Sequence, residues 1–192
     1  MKKLISIVIL LFLLAMTLSS CGSSSVHHVE MTFEGFGTVK IELYGDDAPI
    51  TVKNFLDLAK SGYYDGTKII RMQKDFVLQG GAGIGTSTIK GEFAQNGVDN
   101  KLTHVRGTLS MARSTGMDTA SDQFFICLSD NVSASLDGKY AAFGQVVEGM
   151  DIIDAIVKSL DSDDFLEGYY GVAMGFLKQT SYIKIKSVNV ID

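Results

Sequence analysis

Histidine, cysteine and basic side chains are all scarce in this chain, and each scarcity removes a class of function. Only three of the 192 residues are histidine, and two of them, His27 and His28, are adjacent. No set of histidine, cysteine and carboxylate side chains recurs at metal-ligand spacing, so no metal site is expected. A Ser-His-Asp hydrolase would have to use His104, and no Gly-x-Ser-x-Gly elbow accompanies it. Acidic residues outnumber basic ones by 22 to 17, a net charge of −5. Phosphate binding needs a positive field, so nucleic acid is not an expected partner. The run Gly80-Gly81-Ala82-Gly83-Ile84-Gly85 lacks the Gly-Lys-Ser/Thr ending of a phosphate loop and the spacing of a dinucleotide fingerprint. It reads as a mobile loop.

The leader comes next. Lys2 and Lys3 precede an apolar run over residues 4–18, shorter than the ~20 residues a bilayer crossing needs, so residues 1–20 read as a signal peptide. Leu18-Ser19-Ser20-Cys21 looks like a lipobox, in which the chain is cut before Cys21 and the cysteine sulfur carries a diacylglycerol. Residues 21–27 would then be a lipidated N-terminus and flexible tether, small and polar at Gly22-Ser23-Ser24-Ser25. Two or three acyl chains hold a protein stably, at ~0.8 kcal/mol per buried methylene. The expectation is a protein anchored in the cell membrane through Cys21, with its domain on the extracytoplasmic face. Loss of Lys2 and Lys3 takes the net charge from −5 to −7. With Cys21 lipidated, Cys127 has no partner for a disulfide and reads as a small buried hydrophobe.

Residues 28–192 suit one domain, without internal repeats or a linker. Val29, Met31 and Phe33, then Val39, Ile41 and Leu43, alternate with polar neighbours around Gly35 and Gly37, which predicts an opening β-hairpin. A helix follows, with Pro49 just ahead, Thr51 as its cap, Val52, Phe55, Leu56 and Ala59 at helical spacing, and Gly62 as its end. Residues 67–126 read as short strands broken by glycine-rich loops. A second helix is predicted over 150–160 on the stripe Met150, Ile153, Val157 and Leu160, and a last strand over 182–190 with Ile183, Ile185 and Val188 buried. Many short strands with two helices indicate a closed barrel or a sandwich, and periodicity leaves both open.

Four features follow one another in order: Arg71, Phe76-Val77-Leu78-Gln79-Gly80-Gly81, Ser121-Asp122-Gln123-Phe124-Phe125-Ile126-Cys127, and Leu136-Asp137-Gly138-Lys139-Tyr140-Ala141-Ala142-Phe143-Gly144. Together they resemble the cyclophilin family of peptidyl-prolyl cis/trans isomerases, densely over residues 29–148 and more loosely to 192. The resemblance implies a mostly β fold, a closed eight-stranded antiparallel barrel capped by two α-helices. It also implies action on proline-containing polypeptides without a cofactor; nothing in the sequence suggests an obligate assembly, and a monomer is expected.

The chemistry implied is rotation about the amide before proline, whose barrier is ~18–20 kcal/mol. At the top of that barrier resonance is lost and the nitrogen regains a lone pair. A catalyst therefore needs an apolar pocket for the ring and a donor aimed at the twisted amide, with contacts that strengthen in the transition state. By resemblance Arg71 is the catalytic arginine, with Phe76 and Gln79 beside it in the catalytic set. Phe76, Val77, Phe125, Leu136 and Tyr140 match the proline pocket, with Val77 in place of a methionine and Tyr140 in place of a histidine. Gln79 and Gln123 match the glutamines that orient the arginine and the substrate backbone. Ala112 and Arg113 match the groove edge that pairs with an extended substrate. Because neighbours in a strand face opposite ways, Phe124 is expected inward and Phe125 in the groove.

Two departures stand out. Ile69-Ile70 precedes Arg71 where most relatives have Phe-His. Ser135 stands where immunosuppressant-binding members carry tryptophan, which removes a large contact and a donor. These changes keep open a second reading, a holdase or adaptor that binds proline-containing segments with little turnover. Residues 161–180, with Phe165, Tyr169, Tyr170 and Phe176 among glycines, read either as a loop packed over the barrel or as a partner-binding surface.

Overall fold

The structure, a computed structural model, describes residues 25–82 and 84–192. The signal peptide read in 1–20 and the lipidation of Cys21 lie outside the described residues. Strands β1 (Val26–Phe33) and β2 (Gly37–Tyr44) form an antiparallel hairpin in register from Val26 opposite Tyr44 to Phe33 opposite Gly37. Val29, Met31, Phe33, Val39, Ile41 and Leu43 all face inward and are at most 1% exposed, as a period of two requires. Strands β3 (Lys68–Gln73), β4 (Val77–Ala82), β5 (Thr108–Met111), β6 (Phe124–Cys127), β7 (Ala142–Glu148) and β8 (Ile183–Val190) complete a closed barrel. Its order is β1-β2-β7-β5-β6-β4-β3-β8, antiparallel throughout. Closure pairs every strand on both sides, and it decides between the barrel and the sandwich.

The first strand begins earlier than the boundary expected at His28. Val26 and His27 pair with Tyr44 and Leu43, so the barrel takes in two residues assigned to the tether. The histidine pair is a clasp rather than a loose end. The Asp192 carboxylate accepts from His28 N at 2.6 Å and contacts His27 Nδ1 at 2.6 Å, tying β1 to the segment after β8.

Helix α1 (Pro49–Lys60) starts with proline in its first turn, where the missing N–H costs nothing. Thr51 is not its cap. Thr51 lies inside the helix, and the capping oxygens come from Glu92, which is only 2% exposed. Glu92 Oε1 accepts from Ile50 N at 3.0 Å, and its Oε2 accepts from Thr51 N and Thr51 Oγ1, both at 2.7 Å. A carboxylate on the positive end of a helix gains from both the hydrogen bonds and the dipole. Glu92→Ala leaves the two Thr51 donors buried and unpaired, and should lower the unfolding free energy by about 2–3 kcal/mol in urea titrations.

Helix α1 leaves from the Tyr44 end of β2. Helix α3 (Met150–Ser159) packs at the other end, where Ile152 Cδ1 lies 3.0 Å from the position a Cβ on Gly37 would take. The two longer helices therefore close opposite ends of the barrel, and α2 (Ser133–Leu136) and α4 (Tyr169–Val172) are single turns. The buried face of α3 is Ile153 and Ile156, whereas Met150, Val157 and Leu160 are only half-buried at its edge.

One loop expectation changes, and of the two readings left open for residues 161–180 the packed one describes its backbone. Gly80 and Gly81 belong to β4, with Gly80 paired to Phe124 and Ile69. A Cβ at Gly80 would stand 2.6 Å from Lys68 O and from Ile69 Cδ1, so glycine serves strand contact here and not mobility. Residues 161–180 are packed. Strand β8 pairs with β3 only at Lys68 and Ile69, and the segment continues that pairing. Leu177 N donates to Ile70 O at 3.0 Å and Met72 N to Gly175 O at 2.8 Å.

Candidate active site

Period-two alternation in β4 and β6 separates two apolar clusters. Leu78, Phe124 and Ile126 enter the barrel core and are 0% exposed. Val77, Phe125 and Cys127 face the other way and join Val132 and Leu136 in a second cluster, edged by Phe76, Ala112 and Tyr140. Phe124 and Phe125 thus divide between core and groove as expected. Cys127 is fully buried in that second cluster, and burial, helped by nearby Asp137, pushes its thiol up to about 12. It is a packing residue and not a nucleophile.

The second cluster forms the floor of a cavity of about 300 Å³. Arg71, Phe76, Val77, Gln79, Ala112, Arg113, Phe125, Leu136 and Tyr140 all line it. Gln123 lines an adjoining groove together with Gln79, and its Oε1 accepts from Gln79 Nε2 at 3.1 Å. One locus therefore collects every residue singled out from the sequence for catalysis or substrate binding. Ser135 is exposed beside Leu136, outside the wall of the cavity.

Arg71 is held by neutral acceptors. Its Nη1 donates to Gln79 Oε1 at 2.9 Å, its Nη2 to Gln73 Oε1 at 2.6 Å, and its Nε to Met174 O at 2.5 Å. A guanidinium has five N–H groups. The remaining two, one on each terminal nitrogen, have no partner among the described residues. Burial draws the Arg71 pKa below the ordinary arginine value, with Tyr140 opposing, yet a guanidinium stays charged. No carboxylate among the described residues forms an ion pair with it, so the cavity presents an oriented cation above an apolar floor.

Arg113 is a strut. Its guanidinium lies between the rings of Phe93 and Tyr140, 5.2 and 4.7 Å from their centroids, and its Nε donates to Lys139 O at 2.9 Å. Ala112 N donates to Gln123 O at 2.9 Å, which fixes the groove edge to the start of β6.

Sequence reasoning missed three members of this site. Gln73 sits two residues beyond Arg71 on the same face of β3, so strand periodicity carried a usable signal. Met174 and Phe176 also line the cavity, and the Phe176 ring centre is 5.9 Å from the Arg71 guanidinium. Nothing local marks these two, because their pairing with β3 spans about a hundred residues.

Beneath Phe125 lies a buried polar chain. His104 is 1% exposed, its Nδ1 is 2.7 Å from Asp137 Oδ1, and its Nε2 is 2.9 Å from Ser110 Oγ. Its ring stacks on Phe125 with centroids 6.1 Å apart. The order of groups is that of a hydrolytic triad, but Ser110 is fully buried and meets no substrate. The chain instead anchors the floor. Burial lowers the His104 pKa below its usual 6.5 despite the opposing hydrogen bond and charge of Asp137. A histidine whose folded pKa is depressed binds its proton more readily when unfolded, so stability is full above pH 6.5 and falls as pH drops below it. Urea midpoints measured from pH 7.5 to 5 should show this slope, and His104→Gln should remove it while lowering stability throughout.

The comparisons agree with this geometry. A model of the cyclophilin type peptidyl-prolyl cis-trans isomerase/CLD family matches residues 28–189. A peptidyl-prolyl cis-trans isomerase of Acinetobacter baylyi is 39% identical over 161 residues, covering 80% of this chain and 82% of that protein. Peptidyl-prolyl cis-trans isomerase A of Dickeya dadantii is 37% identical over 162 residues, covering 81% and 84%. Among solved structures, a cyclophilin-type isomerase of Cryptosporidium parvum, crystallised in the presence of the dipeptide Ala-Pro, superposes with a TM-score of 0.67 at 27% identity, covering 86% of this chain and 99% of that one. An eight-stranded closed barrel, an arginine poised over an apolar floor and sequence relatives of this kind lead to one conclusion: the chain belongs to the cyclophilin-type peptidyl-prolyl cis-trans isomerase family and is an isomerase of that kind.

Proposed function

We propose that this isomerase acts on proline-containing segments of proteins folding outside the cytoplasmic membrane, tethered there through a lipid on Cys21. The observation that carries the mechanism is the uncancelled charge of Arg71 beside the second apolar cluster. The proline ring docks against Phe76, Val77, Phe125, Leu136 and Tyr140, which removes apolar surface from water. As the amide twists, its nitrogen gains a lone pair and becomes an acceptor for one of the two uncommitted Arg71 N–H groups. Gln79, Gln73 and the Met174 carbonyl hold the guanidinium plane, so little reorganisation is needed in the transition state. Gln123 steadies Gln79 and, with Ala112 and Arg113, the edge along which the client backbone lies. No bond to the protein forms and no proton is transferred. The Ala-Pro dipeptide used with the Cryptosporidium relative supports a prolyl ligand in this groove.

Exchange spectroscopy on an Xaa-Pro peptide tests the activity: cross-peaks between cis and trans forms should build up faster with the purified protein. Peptide binding without faster exchange would point to the holdase reading instead. For the tether, the leader sequence and the Ser19-Ser20-Cys21 junction are the support. Cys21→Ser should move the protein from the membrane fraction to the soluble extracytoplasmic fraction and abolish incorporation of labelled fatty acid. Unchanged fractionation would sink the anchor.

A further inference from the structure

The wall of the cavity does not stop at Arg71. Phe176 lines the cavity and also packs edge-on against Tyr170, centroids 6.4 Å apart, and Tyr170 packs likewise against Tyr169 at 6.0 Å. Tyr169 and Tyr170 are 69% and 64% exposed, and Leu166, whose carbonyl abuts Gly171, is 42% exposed. Among the described residues, large exposed apolar side chains elsewhere fall singly, whereas here three occur within residues 166–170. A contiguous apolar patch of this kind marks a binding surface.

The patch is held in place. Phe176 N donates to Tyr170 O at 3.0 Å and Leu166 N to Phe176 O at 2.9 Å. Gly175 has φ +76°, and a Cβ there would stand 2.3 Å from Met72 O, so the segment lies flush on β3. Two tyrosines on a fixed backbone offer large contact area at little cost in conformational entropy.

We infer that Phe176, Tyr170 and Tyr169 extend the substrate groove, and that they take an aromatic or large aliphatic client side chain flanking the proline on the Arg71 side. The inference rests on the reading that the groove binds Xaa-Pro segments. Continuity favours the client as occupant, because Phe176 belongs to both surfaces. Spacing favours it too. An extended chain advances about 3.3 Å per residue with alternate side chains on one face, and the 6.4 Å step from Phe176 to Tyr170 matches side chains two residues apart. Asp161, Asp163 and Glu167 are exposed in the same segment, and their charge disfavours acidic client residues there.

The test measures kcat/KM for cis/trans exchange by NMR, using the purified protein and two pairs of Xaa-Pro peptides. One pair carries phenylalanine or glycine two positions before the proline, and the other carries them two positions after. In one pair the phenylalanine peptide should be preferred roughly two- to tenfold. Tyr169→Ala combined with Tyr170→Ala should erase that preference without changing the glycine peptide, and Tyr170→Phe should retain it. Equal rates within both pairs, a preference that survives the double variant, or a loss falling equally on both peptides would each overturn the shelf. Failure to accelerate any of the four peptides would instead overturn the prolyl reading beneath it.

Discussion

Replacing Arg71 with alanine should lower kcat/KM for Xaa-Pro exchange by about 10²–10³, the usual cost of removing one preorganised donor from a developing charge. Binding of the peptide should weaken far less, because the apolar floor under the proline is untouched. Arg71→Lys keeps the charge but cannot meet Gln79, Gln73 and the Met174 carbonyl from one plane. It should therefore recover only part of the loss. Alanine also strips those three oxygens of their donor, and because the site is half-buried the fold should lose about 1–2 kcal/mol. Exchange spectroscopy gives the rate, isothermal calorimetry the affinity and urea titration the stability. A rate within threefold of the parent for Arg71→Ala would remove the arginine from the mechanism.

Adjacent phenylalanines should fail in opposite ways. Phe124 packs among Phe55 and Tyr64 inside the barrel, with ring centroids 5.8 and 5.7 Å away. Truncation to alanine leaves a cavity where closure on all sides prevents collapse, at a cost of about 3–5 kcal/mol. The folded fraction of Phe124→Ala should keep most of its activity. Phe125 is equally well buried but forms the floor of the groove, against Tyr140 at 5.7 Å and the His104 ring. Phe125→Ala opens onto an existing cavity, so its stability cost should be smaller, while kcat/KM should fall at least tenfold as the proline loses its main contact. If both variants lost stability and activity in the same proportion, the division of β6 into a core face and a groove face would carry no functional meaning.

How much of this was legible in the sequence follows from the range of each interaction. Residues that act through strand period were readable: Val29, Met31 and Phe33 on one face, and Phe124 against Phe125. The ordered motifs around Arg71, Gln79 and Leu136 pointed to a single locus because the family resemblance joined segments that local patterns cannot. What stayed hidden arrives from far along the chain. Glu92 caps α1 from 41 residues beyond Thr51, so the nearest hydroxyl looked like the cap. Met174 and Phe176 reach Arg71 across a hundred residues with no periodic signal. Gly80 and Gly81 look like a loop because glycine serves tight packing and chain mobility alike, and only the 2.6 Å approach to Lys68 O tells them apart. The stripe Met150, Ile153, Val157 and Leu160 found Ile153 but passed over Ile156, three residues on within a broader apolar face.

The pairing of β1 with β8 has a consequence for how the molecule comes into being. Val29 stands opposite Val190, so the seam that completes the cylinder joins strands about 160 residues apart. Contacts of such long range bring loop-closure entropy forward and slow the search for the native state. A nascent chain made N-terminus first presents β1 with one bare flank, zipped only to β2, until β8 has emerged. During that interval the hairpin is a ready template for strand addition by another polypeptide. The isomerase is thus itself vulnerable until its final segment arrives.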